Sequence, residues 1–236
     1  MLRIGLVGGM SWESSLEYYK LLNLGVEERL GGLHSARLVM SSVEFHELTE
    51  LQRAGRWDDV AAVLADAAKG LEAAGADLLM MCTTAFHTVA DQVEAAVDIP
   101  FLHLADVVAD ACRARGLDTV GLLGTSYTMQ QPFFVDRLAS HGLEVVVPDP
   151  ARHDVVDRII YGELVHGKVL DPSRATVVDV IEELWDAGAQ GAILGCTELE
   201  LLVKQADSEL PVFPCTTLHV EAALDRALAP TGSVDG

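Results

Sequence analysis

Short apolar segments alternate along this chain of 236 residues with longer segments in which apolar and polar residues mix. Strands that alternate with helices in this way are typical of parallel sheets covered by helices on both faces. The sequence therefore predicts an α/β fold. The apolar segments expected to form strands span residues 3–8, 38–43, 77–81, 99–104, 119–123, 144–147, 191–194 and 212–213.

Two of the intervening segments carry clear helix signals. Residues 12–30 place apolar side chains at helical spacing, and Ser11 is well placed to cap the first turn. Residues 58–74 form an alanine-rich segment that ends at Gly75. Both segments are expected to be helices that cover a sheet.

Landmarks of the first half of the chain recur in the second half in the same order, which suggests two copies of one α/β unit. We expect two similar domains, each a parallel sheet flanked by helices, related by a pseudo-twofold axis. The first comprises residues 1–98 and 211–236 with Cys82, and the second comprises residues 99–210 with Cys196. The matched landmarks are residues 4–8 with 120–124, Cys82-Thr83 with Cys196-Thr197, and residues 99–101 with 210–212.

The charge balance argues against two classes of partner. The chain has 16 basic and 36 acidic residues and a formal net charge of −20. Such a surface repels the phosphates of nucleic acids and the anionic headgroups of membranes, so neither partner is expected. No apolar run approaches the ~18 residues of a membrane span, and glycines stand where a signal peptide has its apolar block. We therefore expect a cytoplasmic protein whose four cysteines, which form no CxxC pair, are reduced.

Two of these cysteines suggest chemistry. Cys82 and Cys196 each follow an apolar segment and precede a predicted helix start, and functional groups of open parallel sheets gather at such strand ends. A thiol at a helix N-terminus lies near the positive end of the helix dipole, which favours the thiolate. Two thiols on opposite faces of a small ligand form an acid/base pair: one removes a proton from a carbon, and the other delivers a proton to the opposite face. The product has the mirror-image configuration at that carbon.

A structural explanation of the same cysteines stays open. A lone cysteine at a strand end is most often an inert core residue, although two at matched positions, both followed by threonine, are harder to explain in this way. Residues 5–9 do not form the GxGxxG pattern of dinucleotide-binding proteins, and the histidines and cysteines lack metal-ligand spacing. We expect neither a cofactor nor a metal.

Four segments together carry a resemblance to a known family. With them the chain resembles the aspartate/glutamate racemases, which work without pyridoxal phosphate. The resemblance implies two similar α/β domains with the active site between them, usually in a homodimer, and a small amino acid or dicarboxylic acid as substrate. It also implies that Cys82 and Cys196 are the two catalytic bases. The segments are residues 8–14 (GGMSWES), 81–87 (MCTTAFH), 123–129 (LGTSYTM) and 194–198 (LGCTE).

The resemblance further implies a set of substrate-binding residues. Thr83, Thr125 and Thr197 correspond to positions where the family binds the substrate α-carboxylate and other polar groups. His166 and Lys168 are the candidates for a cation that the family places before its last long helix, and the choice between them stays open. The remaining candidates are Met10, His46, Thr84 and Glu198.

The sequence departs from the family pattern where the substrate side chain is recognised. Thr84-Ala85 replaces an Asn-Thr pair after the first cysteine, Cys215 stands where relatives often have aspartate, and His46 lies where aspartate-specific members have an arginine. Loss of an arginine clamp weakens the preference for a dicarboxylate. The leading hypothesis is a cofactor-independent amino-acid racemase with altered or broad specificity. The alternatives are a related isomerase or decarboxylase of a small dicarboxylic acid, and a non-catalytic protein that binds small acids.

Overall fold

The computed structural model describes residues 1–229; positions 230–236 of the predicted first domain lie outside the described residues. Within the described part of the chain, no helix is both long and apolar enough to cross a membrane. The strands are β1 (Ile4–Gly8), β2 (Leu38–Ser42), β3 (Leu78–Met81), β4 (Thr119–Leu123), β5 (Glu144–Val146), β6 (Ala192–Leu194) and β7 (Val212–Pro214). The helices are α1 (Trp12–Leu30), α2 (Phe45–Arg53), α3 (Trp57–Ala73), α4 (Ala90–Glu94), α5 (Leu104–Ala114), α6 (Ser126–Gln130), α7 (Pro132–Ser140), α8 (Pro150–Gly162), α9 (Asp171–Asp186), α10 (Leu199–Leu202) and α11 (Cys215–Leu228), with 3-10 helices at Ala85–Val89, Leu164–His166 and Gln205–Asp207.

The chain divides into two compact units, and each contains one sheet. The first unit comprises Met1–Cys82, Asp91–Leu102 and the stretch from Val220, and the second comprises Thr83–Ala90 and His103–His219. The strand order is β2-β1-β3 in the first sheet and β5-β4-β6-β7 in the second, and every pair is parallel. The predicted α/β fold with parallel sheets flanked by helices is confirmed.

In the first unit, α1 lies beside the central strand β1 and packs against the C-terminal helix α11. Its predicted range is confirmed, as is its cap: the Ser11 side chain accepts a hydrogen bond from the Ser14 amide at 3.2 Å. Gly25 lets α11 approach closely, because a Cβ at this position would lie 2.3 Å from Cδ1 of Leu224. Arg29 adds an ion pair with Asp225 at 2.6 Å. The C-terminal part of α1 therefore anchors α11 through a close apolar contact and a charge pair.

In the second unit, the buried strand β4 separates two apolar layers. Leu122 packs in a cluster with residues of α5 and α7, and Leu123 packs in another with residues of α8, α9 and α10. Successive strand residues point to opposite faces, so a continuous apolar strand fits a sheet covered on both sides. This packing explains the run of apolar residues that identified the strand in the sequence.

The strand predicted at residues 99–104 is wrong. Phe101 forms only an isolated bridge with Leu79, and α5 begins at Leu104. Two local causes shorten the pairing. Pro100 has no amide proton to donate to a neighbouring strand. The His103 side chain accepts a hydrogen bond from the Ala105 amide at 3.1 Å and so caps the helix that follows.

A glycine shapes the turn after β1. Gly9 has φ +94°, and a Cβ there would lie 2.3 Å from the carbonyl oxygen of Val43. Its amide donates to Oγ of Ser15 in the first turn of α1 at 2.8 Å. The turn that carries Met10 therefore requires both the left-handed backbone of glycine and its lack of a side chain.

We expect Gly9→Ala to destabilise the protein strongly, because it adds backbone strain and a clash with the Val43 carbonyl. Gly55→Ala is a matched control: Gly55 also has a positive φ, +69°, but a Cβ there meets nothing within 4 Å. Backbone strain alone should lower the free energy of unfolding by about 1 kcal/mol in Gly55→Ala. In Gly9→Ala the clash adds to this strain, and the total loss should be about 3 kcal/mol or more. Urea denaturation measures both; equal losses would contradict the role of the close contact.

Candidate active site

Cys82 directly follows β3 and continues its pairing with β1. Its amide donates to the Val7 carbonyl at 2.9 Å, so the chain stays in the ladder for one residue beyond the strand. The side chain is fully buried. Thr83, which is buried, and Thr84, which is partly buried, lead from Cys82 into the 3-10 helix at Ala85–Val89.

Cys196 occupies the corresponding place after β6 in the second unit. The Gly195 amide donates to the Leu123 carbonyl at 2.7 Å, which extends the pairing with β4 to the residue before the cysteine. The partly buried Cys196 thiol donates a hydrogen bond to Oε2 of Glu198 at 2.9 Å. A carboxylate that accepts a thiol hydrogen bond can also accept the proton itself. Glu198 is therefore a candidate proton acceptor for Cys196 as well as a candidate ligand-binding residue.

Burial disfavours the thiolate form of both candidate cysteines. Burial raises the pKa of Cys82. Burial also raises the pKa of Cys196, and the charge of Glu198 and the hydrogen bond to it act in the same direction. Backbone amides of Glu198 and Leu199 lower the pKa of Cys196, as expected at a helix start, but burial outweighs them. The helix start at Cys196 therefore favours the thiolate, as the sequence suggests, but less strongly than burial opposes it.

Tyr161 belongs to the surroundings of Cys196, although nothing in the sequence pattern singles it out. Its hydroxyl lies near the Thr125 side chain. The side chain is 58% exposed, yet the pKa of its phenol rises to about 12, because of burial first and then the proximity of Cys196, Asp157 and Glu198. The only local signal is an exposed aromatic residue in the last turn of α8.

The structure brings part of the predicted site together. Thr125 caps α6 and accepts a hydrogen bond from the Thr128 amide, and it shares Tyr161 with the neighbourhood of Cys196. Thr197 and Glu198 follow Cys196 directly. In the first unit Met10 is buried in the turn after β1, whereas His46 is exposed at the start of α2.

His166 and Lys168 are both exposed after α8, His166 at the end of the 3-10 helix at Leu164–His166. The choice between them as the cation for substrate recognition stays a prediction.

The other two cysteines are core residues. Cys112 and Cys215 are buried in the apolar cluster between the second sheet and α5, and all four cysteines are free thiols. Cys215 begins α11, where the buried Glu200 carboxylate accepts hydrogen bonds from Thr217 through its amide at 3.3 Å and its hydroxyl at 3.0 Å. Among residues 1–229, no cluster of three or more His, Cys, Asp or Glu side chains is arranged to hold a metal ion.

Comparison with known proteins shows which family the chain resembles. A Yersinia pestis protein whose crystal structure is named for the Asp/Glu racemases is 47% identical, with 97% of this chain and 100% of that chain covered and a TM-score of 0.91. An aspartate racemase homologue from Pyrococcus horikoshii OT3 is 34% identical, with coverage of 96% and 99% and a TM-score of 0.86. RacX of Bacillus subtilis, named a broad specificity amino-acid racemase, is 24% identical over 173 residues, which cover 73% of this chain and 74% of that protein. The family model described as Asp/Glu/Hydantoin racemase matches residues 7–223, and the chain belongs to that family.

Proposed function

We propose that this protein is a cofactor-independent amino-acid racemase that uses Cys82 and Cys196 as its two acid/base groups. The observation that carries the proposal is the matched placement of the two thiols, each at the carboxyl end of a buried strand that pairs with the central strand of its own sheet. Functional groups gather at this edge of parallel sheets. Membership of the racemase family supports the same reading.

The proposed reaction conserves protons within each turnover. One cysteine, as thiolate, removes the proton from the substrate α-carbon and becomes a thiol, and the electron pair of the broken C–H bond stays on the carbon. The other cysteine, as thiol, gives its proton to the opposite face and becomes a thiolate. After this turnover the first cysteine is the thiol and the second is the thiolate, which is the state that acts on the opposite enantiomer. The two cysteines therefore exchange roles when the reaction runs in the opposite direction.

A thiolate has to be formed before this cycle can begin. Burial raises the pKa of both cysteines and so favours the neutral thiols. When Cys196 is the base, its proton passes to Glu198, which becomes a carboxylic acid and already accepts the thiol hydrogen bond at 2.9 Å. The ammonium group of a bound amino acid also favours a nearby thiolate over a thiol. Substrate binding is therefore expected to supply the charge that stabilises the active form.

The substrate class follows from the departures noted in the sequence. The segment where aspartate-specific relatives carry an arginine contains His46, which is exposed and lacks the paired donors with which arginine holds a carboxylate. We propose a range of amino acids wider than aspartate and glutamate, which agrees with the broad specificity in the name of the Bacillus subtilis relative. The homodimer and the cytoplasmic location that the resemblance implies stay predictions.

The first experiment is proton NMR in deuterated buffer, under reducing conditions, with a panel of single-enantiomer amino acids. We expect the α-proton signal of at least one substrate to disappear while the opposite enantiomer accumulates, because the proton returned by the thiol comes from solvent. Release of carbon dioxide from malonate-type acids, without α-proton exchange, would favour the decarboxylase alternative. Thermal stabilisation by a small acid with neither reaction would favour the non-catalytic alternative.

We expect Cys82→Ser and Cys196→Ser each to reduce racemisation by about 10²–10⁴-fold, the contribution of a positioned acid/base group. Each variant keeps one thiol and should therefore still exchange the α-proton of a single enantiomer with solvent, without inverting it. Cys112→Ala is the matched control, since this cysteine lies in the core of the second unit, and it should keep racemisation. Chiral chromatography and deuterium incorporation measure the two effects, and full activity of either serine variant would refute the two-base assignment.

We expect Glu198→Gln to slow racemisation by about 10- to 100-fold, since it removes the group that accepts the Cys196 proton. The same change removes a negative charge that raises the pKa of Cys196, so this thiol should ionise at lower pH than in the wild type. Alkylation of Cys196 across a pH series, followed by mass spectrometry, measures the shift. The control is Glu182→Gln on the exposed face of α9. Unchanged racemisation together with an unchanged alkylation profile would contradict the role of Glu198.

A further inference from the structure

A tertiary hydrogen bond within the second unit joins two segments that the sequence predicts to bind the substrate. The hydroxyl oxygens of Thr88 and Tyr127 lie 3.0 Å apart. Thr88 belongs to the 3-10 helix at Ala85–Val89, which begins directly after Thr84. Tyr127 belongs to α6, whose first turn Thr125 caps. Because 39 positions separate the two bonded residues, their contact holds together parts of the chain that are distant in sequence.

The direction of this hydrogen bond follows from the other bond that Thr88 makes. Its hydroxyl donates to the Ala85 carbonyl at 2.9 Å, and a threonine hydroxyl has only one proton to donate. Tyr127 is therefore the donor, and Thr88 is the acceptor. Burial raises the pKa of Tyr127 above its ordinary value, so the phenol keeps the required proton at neutral pH.

The ring of Tyr127 is held independently of its hydroxyl. Its centroid lies 5.9 Å from that of Phe133 in α7, and the two ring planes are inclined by 31°. Aromatic pairs at such distances stabilise a packed arrangement. A phenylalanine at position 127 would keep this ring contact, so Tyr127→Phe removes the hydrogen bond and little else.

On one side of the bond, the 3-10 helix connects Thr88 with Thr84. The His87 amide donates to the Thr84 carbonyl at 3.1 Å, so the first turn of the helix includes this threonine. The Leu104 amide donates to Nε2 of His87 at 3.3 Å and fixes the helix at a second point. The helix spans five residues. A displacement of Thr88 would therefore be transmitted to Thr84, although the second anchor limits its extent.

On the other side of the bond, α6 connects Tyr127 with Thr125. The Thr125 hydroxyl accepts a hydrogen bond from the Thr128 amide at 3.3 Å. Asp157 of α8 accepts a hydrogen bond from the Ser126 amide at 2.9 Å. Thr125 thus caps a short helix that Asp157 fixes to α8 and that Tyr127 connects to the 3-10 helix.

We propose that Tyr127 is a positioning residue: its hydrogen bond to Thr88 holds two segments of predicted substrate-binding threonines in the arrangement that binds the α-carboxylate. These segments are Thr83-Thr84 and Thr125. The proposal rests on the proposed function and on the predicted roles of these threonines. Groups that are fixed before a ligand arrives do not have to be ordered when it binds, which raises affinity. In this role Tyr127 acts through the segments that it connects and not by contact with the substrate.

Tyr127→Phe should raise KM by about 3- to 10-fold, the effect of one hydrogen bond. It should leave kcat nearly unchanged, because a binding site that is less well ordered affects the bound substrate and the transition state alike. The α-carboxylate is common to all amino acids, so the rise should be the same for every amino acid that the protein racemises. An unchanged KM, a loss confined to kcat, or a rise that depends on the substrate side chain would overturn the proposal.

Substitutions of Thr88 test the other partner of the bond. Thr88→Val removes the acceptor and should raise KM about as much as Tyr127→Phe, whereas Thr88→Ser keeps the hydroxyl and should keep KM near that of the wild type. The double variant with Tyr127→Phe and Thr88→Val should be no worse than Thr88→Val alone, because both changes remove the same bond. A double variant in which the two rises in KM multiply would overturn the proposal.

A second threonine of the same unit provides the matched control. Thr176 in α9 is partly buried, as Thr88 is, and its hydroxyl donates to the Pro172 carbonyl at 3.0 Å within its own helix. Thr176→Val should leave KM unchanged. An equal rise in KM for Thr176→Val and Thr88→Val would mean that loss of a local hydroxyl bond is sufficient, and the specific role of the bond to Tyr127 would be refuted.

The hydrogen bond can be measured without any turnover, which separates this proposal from the proposed function. Urea denaturation of the wild type, Tyr127→Phe, Thr88→Val and the double variant should show a smaller loss of stability in the double variant than the sum of the two single losses. Additive losses would overturn the proposal even if racemisation is observed. Coupled losses in a protein that racemises no amino acid would instead refute the proposed function.

Discussion

Two backbone hydrogen bonds just beyond the ends of strands determine where the candidate chemistry lies. The Cys82 amide pairs with Val7 of β1, and the Gly195 amide, one residue before Cys196, pairs with Leu123 of β4. Both acceptor strands are central and buried on both faces. A slip of one residue in either register would exchange the side chains that pack on the two faces, and close-packed cores do not accommodate that exchange, so the cores hold the register. The positions of the thiols are thus a consequence of the packing that folds each unit.

The same burial governs the electrostatics of the thiols. An unpaired charge in an apolar environment is costly, so burial raises the pKa of both cysteines. At Cys196 the negative charge of the neighbouring Glu198 raises the pKa further, while the backbone amides of Glu198 and Leu199 lower it. In the proposed reaction, the ammonium group of a bound amino acid would add to the influences that favour the thiolate.

The parts of the structure that the sequence predicted are those set by local pattern. Residues 12–30 form the expected helix, and Ser11 caps it, because amphipathic spacing and a capping side chain act within a few residues. The strand expected at 99–104 does not form, because Pro100 and the His103 cap, both local too, outweigh the apolar character of the segment. The proximity of Tyr161 to Cys196 could not be predicted, since it depends on how α8 packs against a loop distant in sequence. The periodic spacing of apolar residues in the sequence does not indicate which distant side chains come close together.

The residues proposed for chemistry and those proposed for specificity differ in burial, and the difference has a consequence for the family. Cys82 and Thr83 are buried and tied to strand ends, so substitutions there would disturb the fold as well as the reaction. His46, His166 and Lys168 are exposed, and surface substitutions usually change stability by less than about 0.5 kcal/mol. Under the proposed assignment of roles, recognition of the substrate side chain could therefore change at almost no cost in folding free energy while the thiol pair stays in place.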